Sequence, residues 1–340
     1  MLHPAIRNFS IGPPDFSYVG DGLVGPECVV TDPDGSIWTT DTRGGISHIL
    51  PGGETMFVQT RVASDGNSFS RRFTPNGFCR TSDGRFLIAD MTGNRVIEMD
   101  SVGKVWNVLS DRNGSSLGQI NYVLEDRLGR TWIIVQSHAA TPDDALNPTL
   151  ADGQILLWHN DHVCIAASGL RHPNQLAVSD DGKTMYVPQT TARNIIRFDV
   201  DDNATLSKPT VVGPEDHKMF IDGIALDADG NIWGAHVGVD RIFVLSPDGS
   251  FRIIFEDEKS IEYGNALYQA FLRDQITSEL LDGAGGVVAP MLTSIAFGGA
   301  DLKTVYVGSL KGKTIACFRS PVPGQQPAHW NADTHEDSGQ

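Results

Sequence analysis

Short apolar runs recur along this chain, and each is cut off by a turn of the Asp-Gly type. The first run of a unit, such as CVVTD, QLAVS or GIALD, leads through the turn into a second: SIWTTD, RFLIAD, RTWIIVQ, KTMYVPQ, NIWGAH and KTVYVGS. A third run follows in every unit, ISHIL, RVIEMD, QILLWHN, NIIRFD, RIFVLS and TIACF. Runs of this length, alternating or wholly apolar and rich in Trp, Ile, Val and Tyr, predict strands packed between sheets. The Asp-Gly and Asn/Gly pairs between them predict hairpins. Fainter runs, ETMFVQT, KVWNVLS, HVCIAAS, PTVVG and FRIIFED, fit a fourth, outer strand.

The units are in register. Gly35, Gly84, Gly129, Gly182 and Gly230 each lie eight residues after an oxygen-bearing side chain: Glu27, Asn76, Asn121, Asn174 and Asp222. Those slots are 49, 45, 53 and 48 positions apart (27 to 76 to 121 to 174 to 222). A sixth copy, LTSIAFGGADLK, lacks the glycine and puts Ser294 in the slot, 72 positions beyond Asp222, one period plus an insertion. A repeat of roughly 40–50 residues with four strands per unit predicts a propeller. The expected fold is all-β: one six-bladed β-propeller over 1–340, with 1–20 and 321–340 peripheral and closure by pairing of the N-terminal segment with the last blade.

Two segments break the texture. Residues 138–152, HAATPDDALNPTLAD, have loop composition. Residues 259–290 carry an apolar stripe at helical spacing, Ala266, Leu267, Ala270, Phe271, Ile276, Leu280 and Leu281, with Gly283 as a stop. The stripe predicts a helical insertion, either a lid over one end of the channel or a patch on the outside of two blades.

Composition narrows the partners. Gly 36 and Pro 18 suit many short strands joined by turns. A net charge of −16 disfavours a nucleic-acid partner or an anionic membrane surface. No run approaches the length of a membrane-spanning helix. Cys28, Cys79, Cys164 and Cys317 have no metal-ligand spacing, and the first residues lack a basic segment followed by an apolar one, so a reduced, cytoplasmic setting is expected.

The slot supplies candidate chemistry. In a propeller, one position on every inner strand forms a ring about the axis. Glu, Asn, Asn, Asn, Asp and Ser all offer an oxygen, which suits a hard divalent cation: Ca²⁺ first, with Mn²⁺, Mg²⁺ or Zn²⁺ as alternatives. The competing reading is a set of turn-forming residues with no metal. A metal-held Asp222 beside substrate could serve as base or nucleophile. No Gly-x-Ser-x-Gly elbow, dinucleotide fingerprint or P-loop is present. His138 and His236 follow second strands and are candidate substrate contacts, although a lone histidine is more often a hydrogen-bonded structural residue. Arg43 reads better as a solvated turn arginine than as an oxyanion donor.

Glu27 in GPE, Asn121 in INYVLEDRLGR, Asn174 in HPNQLAVSDDGKTMYV, Asp222 in IDGIALDADGNIWGAHVG and the stretch TSIAFGGADLKTVYVGS resemble the gluconolactonase/regucalcin family over about Gly25 to Phe318. The resemblance implies a six-bladed propeller and metal-dependent hydrolysis of a small-molecule lactone. It implies that Glu27, Asn174 and Asp222 bind the cation, that Asn121 binds the cation or holds substrate beside it, and that Asp222 activates the attacking water. Asn76 is assigned to substrate contact or support. Tyr122, where many sugar lactonases carry Asp, is a further substrate-contact candidate. Together with the 259–290 insertion and its Tyr263, Leu267, Tyr268 and Phe271, it points to a less polar lactone. The rival functions are a phosphotriesterase-like hydrolase on the same metal site and a non-catalytic binding propeller.

Overall fold

The computed structural model describes residues 2–61, 73–159 and 162–331, and its strands form six four-stranded antiparallel sheets around a central channel. The inner strands are Val29–Thr31, Pro75–Arg80, Gln119–Glu125, Ala177–Val178, Ile221–Leu226 and Leu292–Gly298. In the first five blades, strand order in space follows chain order. The sixth is completed from the other end of the chain: Ser17–Val19 pairs with Ile315–Arg319, Tyr18 opposite Ala316. Closure therefore follows the sequence expectation, with the N-terminal strand as the outer strand of the last blade.

The turn residues explain the spacing. Gly35, Gly84, Gly129, Gly182 and Gly230 all adopt φ between 69° and 90°, the left-handed region that glycine enters without Cβ strain. Leu302 holds the same position in the sixth copy, with φ 54° and its N–H donating to the Gly299 carbonyl. In blades 1, 3 and 5 the turn carries a second device. Asp32, Asp126 and Asp227 accept the indole N–H of Trp38, Trp132 and Trp233 at 2.9, 2.8 and 3.0 Å. Each clamp ties the start of a turn to the middle of the following strand.

The core lies between blades rather than around one centre. Trp233, Ile242, Phe297, Val305 and Phe318 fill the wedge between blades 5 and 6. The described parts of the two terminal segments, 2–20 and 321–331, contribute to the core. Ile6 and Phe16 are buried in that same wedge. Val322 is buried there too, and His329 and Trp330 bond the Thr31 carbonyl of the first inner strand. A short helical turn, Pro142–Ala145, interrupts the predicted 138–152 loop.

The predicted insertion forms two helices, Ile261–Leu272 and Ser278–Gly283. Leu267 and Phe271 pack on Met219, Phe220, Val237 and Val239, in loops of blade 5 at the slot end of the channel. Lys311 caps the second helix by donating to the Leu281 and Ala284 carbonyls at 3.0 and 2.8 Å. The buried Asp240 carboxylate holds the returning strand through the Met291 and Leu292 N–H groups. No described helix is long and apolar enough to cross a membrane.

Candidate functional site at the slot end of the channel

Local backbone irregularity marks the slot in four of the six blades. The ladders of blades 2, 3, 5 and 6 slip register at Pro75/Phe78, Ile120/Tyr122, Ile221/Ile224 and Leu292/Ile295, so Asn76, Asn121, Asp222 and Ser294 all sit in bulges. In blades 1 and 4, Glu27 and Asn174 precede the inner strand. A bulge re-aims a side chain that regular pairing would direct into the blade wedge.

Neighbouring blades close around these positions. Gly77 lies against the Asn121 carbonyl, and Gly223 lies against Gln175 and the Thr293 carbonyl. Gly308 lies against the Glu27 carbonyl, where any Cβ would collide with backbone. Thr293 and Ser294 donate their hydroxyls to that same carbonyl at 2.7 and 2.6 Å. Ser294 therefore anchors the backbone of Glu27 instead of offering its oxygen to the axis, which corrects its place in the ring.

The remaining members keep their oxygens free. Asn76 Oδ1, Asn174 Oδ1 and Asp222 Oδ1 are buried without a hydrogen-bond partner. Asn121 donates its amide to Gln136 at 2.6 Å, which leaves its oxygen to point inward. Burial pushes the Asp222 carboxyl up to about 8, against a smaller lowering effect of the neighbouring Asn174 side chain. Burial, followed by repulsion from Asp222, also raises Glu27 well above the ordinary carboxylate range. Neither carboxylate has an ion-pair partner among the described residues. Among those residues no three Asp, Glu, His or Cys side chains converge. The donor set is two carboxylates and three amides, which fits an oxygen-seeking divalent cation and gives zinc no nitrogen or sulfur.

The layer beneath closes the channel. Tyr122 fills the space over Gly77, and Gln175 fills that over Gly223, its Oε1 accepting the Ile224 N–H at 3.2 Å. Below them lies a cavity of about 180 Å³, lined by residues such as Cys79, Phe78 and Ile295 and by 325–329. Tyr122, expected at substrate, is part of this floor: its ring lies over Gly77 and packs on the clusters between blades 1 and 2 and between blades 3 and 4, and burial raises its hydroxyl pKa.

The two histidines separate. His138 is exposed at the rim of blade 3, its backbone N–H on Asp152 at 2.8 Å. His236 is fully buried away from the mouth, with Nε2 3.0 Å from His217 Nδ1 and its ring against Phe243 and Phe251. It belongs to a set that the sequence reading missed. Each second strand ends in a buried polar residue, Asp41, Asp90, Ser137, Gln189, His236 and Ser309, with buried Gln136 just before the end in blade 3. Most of these pin the loop entering their own blade, as Asp41 does for Val24, Asp90 for Thr74 and Gln189 for Arg171. The signal was present as a polar terminus on every second apolar run. Arg43 forms a fork on Asp41 and stacks over Phe57, so it is a turn residue.

Residues 26–256 match the family described as SMP-30/Gluconolactonase/LRE-like region. A Rhizobium meliloti protein named "Putative sugar lactone lactonase" is 34% identical over 85 residues, 24% of this chain and 29% of that protein. Pentonolactonase XacC of Haloferax volcanii is 25% identical over 197 residues, 57% of this chain and 54% of that protein. The matches thus span about a third and about half of those relatives' own lengths. Regucalcin from Agrobacterium tumefaciens, a calcium-binding protein, shares the fold with a TM-score of 0.62 at 18% identity, covering 90% of this chain and 93% of its own.

Proposed function

The chain belongs to the SMP-30/gluconolactonase/LRE-like family, and from that premise we propose that it is a metal-dependent hydrolase that opens a lactone ring. One observation carries the reading. A buried carboxylate, Asp222, and a partly buried one, Glu27, share the slot end of the channel with unpartnered amide oxygens and no compensating cation among the described residues. Burying such charge unpaired is costly, and a divalent cation is the simplest group that offsets it. The lactonase names of the two curated relatives and the calcium binding of the regucalcin structure are consistent with this.

Glu27, Asn174 and Asp222 would hold the cation, with Asn121 completing the set or touching substrate. Asn76 has as strong a claim as Asn174 on its buried, unpartnered oxygen. When bound, the cation supplies Lewis acidity at the lactone carbonyl. Asp222 takes a proton from water as the water oxygen attacks the carbonyl carbon. The ring C–O bond then breaks, and the departing alkoxide recovers a proton. Tyr122 and Gln175 shut the channel floor, so water and substrate reach Asp222 from the slot end. His138 stands at that entrance.

A preference for a less polar lactone has weaker support. Leu267 and Phe271, two of its four lid residues, are consumed by packing on blade 5, while Tyr263 stays exposed. The test is hydrolysis of a panel of sugar and alkyl lactones by wild type and Asp222→Asn, with and without added Ca²⁺, Mn²⁺ or Zn²⁺. The expected loss for Asp222→Asn is about 10²–10⁴-fold in kcat. Full activity of the variant, or activity indifferent to chelation, would sink the mechanism.

A further inference from the structure

We infer that Gln136 and Gln119 are positioning residues that fix which end of the Asn121 amide faces the axis, and that they reference it to the rim loop 138–152. The inference rests on the cation-site reading above. The Ala139 carbonyl can only accept a hydrogen bond. Gln119 therefore turns its Nε2 to that carbonyl, at 2.8 Å. Its Oε1 is left to accept from Gln136 Nε2 at 2.9 Å. Gln136 Oε1 then accepts from Asn121 Nδ2 at 2.6 Å. All three side chains are buried, and flipping any one would set like ends against each other. A single backbone carbonyl thus dictates the polarity of three amides in sequence and leaves Asn121 Oδ1 as the end presented to the ring.

Blade 3 is singular in this respect. Asp41, Asp90 and Gln189, its counterparts on other second strands, bond the entering loop, whereas Gln136 bonds a ring residue itself. The other ring amides are held differently. Asn174 lies beside Asp222, and among the described residues the Asn76 amide meets Met91 Sδ at 3.9 Å. The loop that carries Ala139 also reaches the 259–290 insertion, with Asn147 Nδ2 3.4 Å from Asp274 Oδ2. The relay therefore runs from the ring to the rim where substrate would enter.

Calorimetric titration of the apo protein with Ca²⁺ tests this, with Gln136→Leu, Gln119→Leu and Gln136→Glu as variants and thermal melts to confirm folding. Glu, protonated in this buried place, donates its O–H to Gln119 Oε1 and still accepts from Asn121 through its other oxygen, so it should keep Ca²⁺ affinity within about threefold. Either Leu variant should weaken it by about 10–100-fold. Wild-type affinity in Gln136→Leu, or equal losses in Gln136→Leu and Gln136→Glu, would overturn the relay. Hydrogen exchange of the Asn121 carboxamide protons reads the relay without the cation: slow in wild type and fast in Gln136→Leu. If wild type bound no Ca²⁺, the cation reading would fall, while fast exchange in wild type would overturn the relay alone.

Discussion

Asp222 and His236 sit one strand apart in blade 5 and do opposite things with burial. Asp222 lies in a bulge, facing neighbouring oxygens, and its carboxyl is pushed up to about 8. His236 lies in regular pairing opposite Ile221, so its ring turns into the blade wedge against His217 and Phe243. His236→Asn should therefore leave kcat/KM for the best lactone within about threefold. It should cost about 1–3 kcal/mol of stability by stripping His217 of its partner in a buried place. A chemical melt together with initial rates checks both. A large rise in KM with unchanged stability would return His236 to the substrate site. The slot residues were legible because eight residues separate each from its turn glycine. The facing of His236 was not, because a polar residue ending an apolar run looks the same whether it points to the axis or the wedge. Only the strand register decides between them, and the bulges that change it leave no mark in hydrophobic pattern.

At the scale of the element, the turn glycines were the most readable feature, and their cost can be isolated. Gly230 has φ 79°, and a Cβ added there would meet nothing within 4 Å. Gly230→Ala therefore changes backbone strain and little else, and about 1–2 kcal/mol should be lost in equilibrium unfolding. No loss would mean that the turn relaxes into another type. Leu302 shows that the turn tolerates such strain in the copy that lacks the glycine. The helical insertion was legible from its stripe, but not its use. The stripe reads as apolar in either case, and the structure spends Leu267 and Phe271 on blade 5 rather than on an open pocket. The Asp–Trp clamps of blades 1, 3 and 5 were equally visible, an Asp five residues and a Trp eleven residues after the slot. They went unread because their meaning appears only once the strands are paired.

Across the whole molecule, the proposed cation ligands come from four different blades, and this makes cation binding a matter of global stability. Glu27, Asn121, Asn174 and Asp222 come from blades 1, 3, 4 and 5, so a cation held among them would bridge the channel. Asp222 is raised from its ordinary value to about 8 in the folded protein, and Glu27 is shifted in the same direction. Folding therefore favours their protonated forms. The stability this contributes is full at low pH and is lost as pH rises through about 8, when buried charge must form. A divalent cation removes that penalty, and it binds the deprotonated ligands, so its affinity should climb over the same range. Thermal melts in chelator should accordingly fall between pH 6 and pH 9 by more than melts in saturating Ca²⁺. At a Ca²⁺ concentration 100 times Kd the added stability is about 2.7 kcal/mol, a shift of a few degrees in Tm for a chain of this size. The shift at one fixed Ca²⁺ concentration should be larger at pH 9 than at pH 6. A Ca²⁺ effect of equal size at both pH values would place the cation away from Glu27 and Asp222. No effect at either would leave the two carboxylates without the partner that their burial calls for.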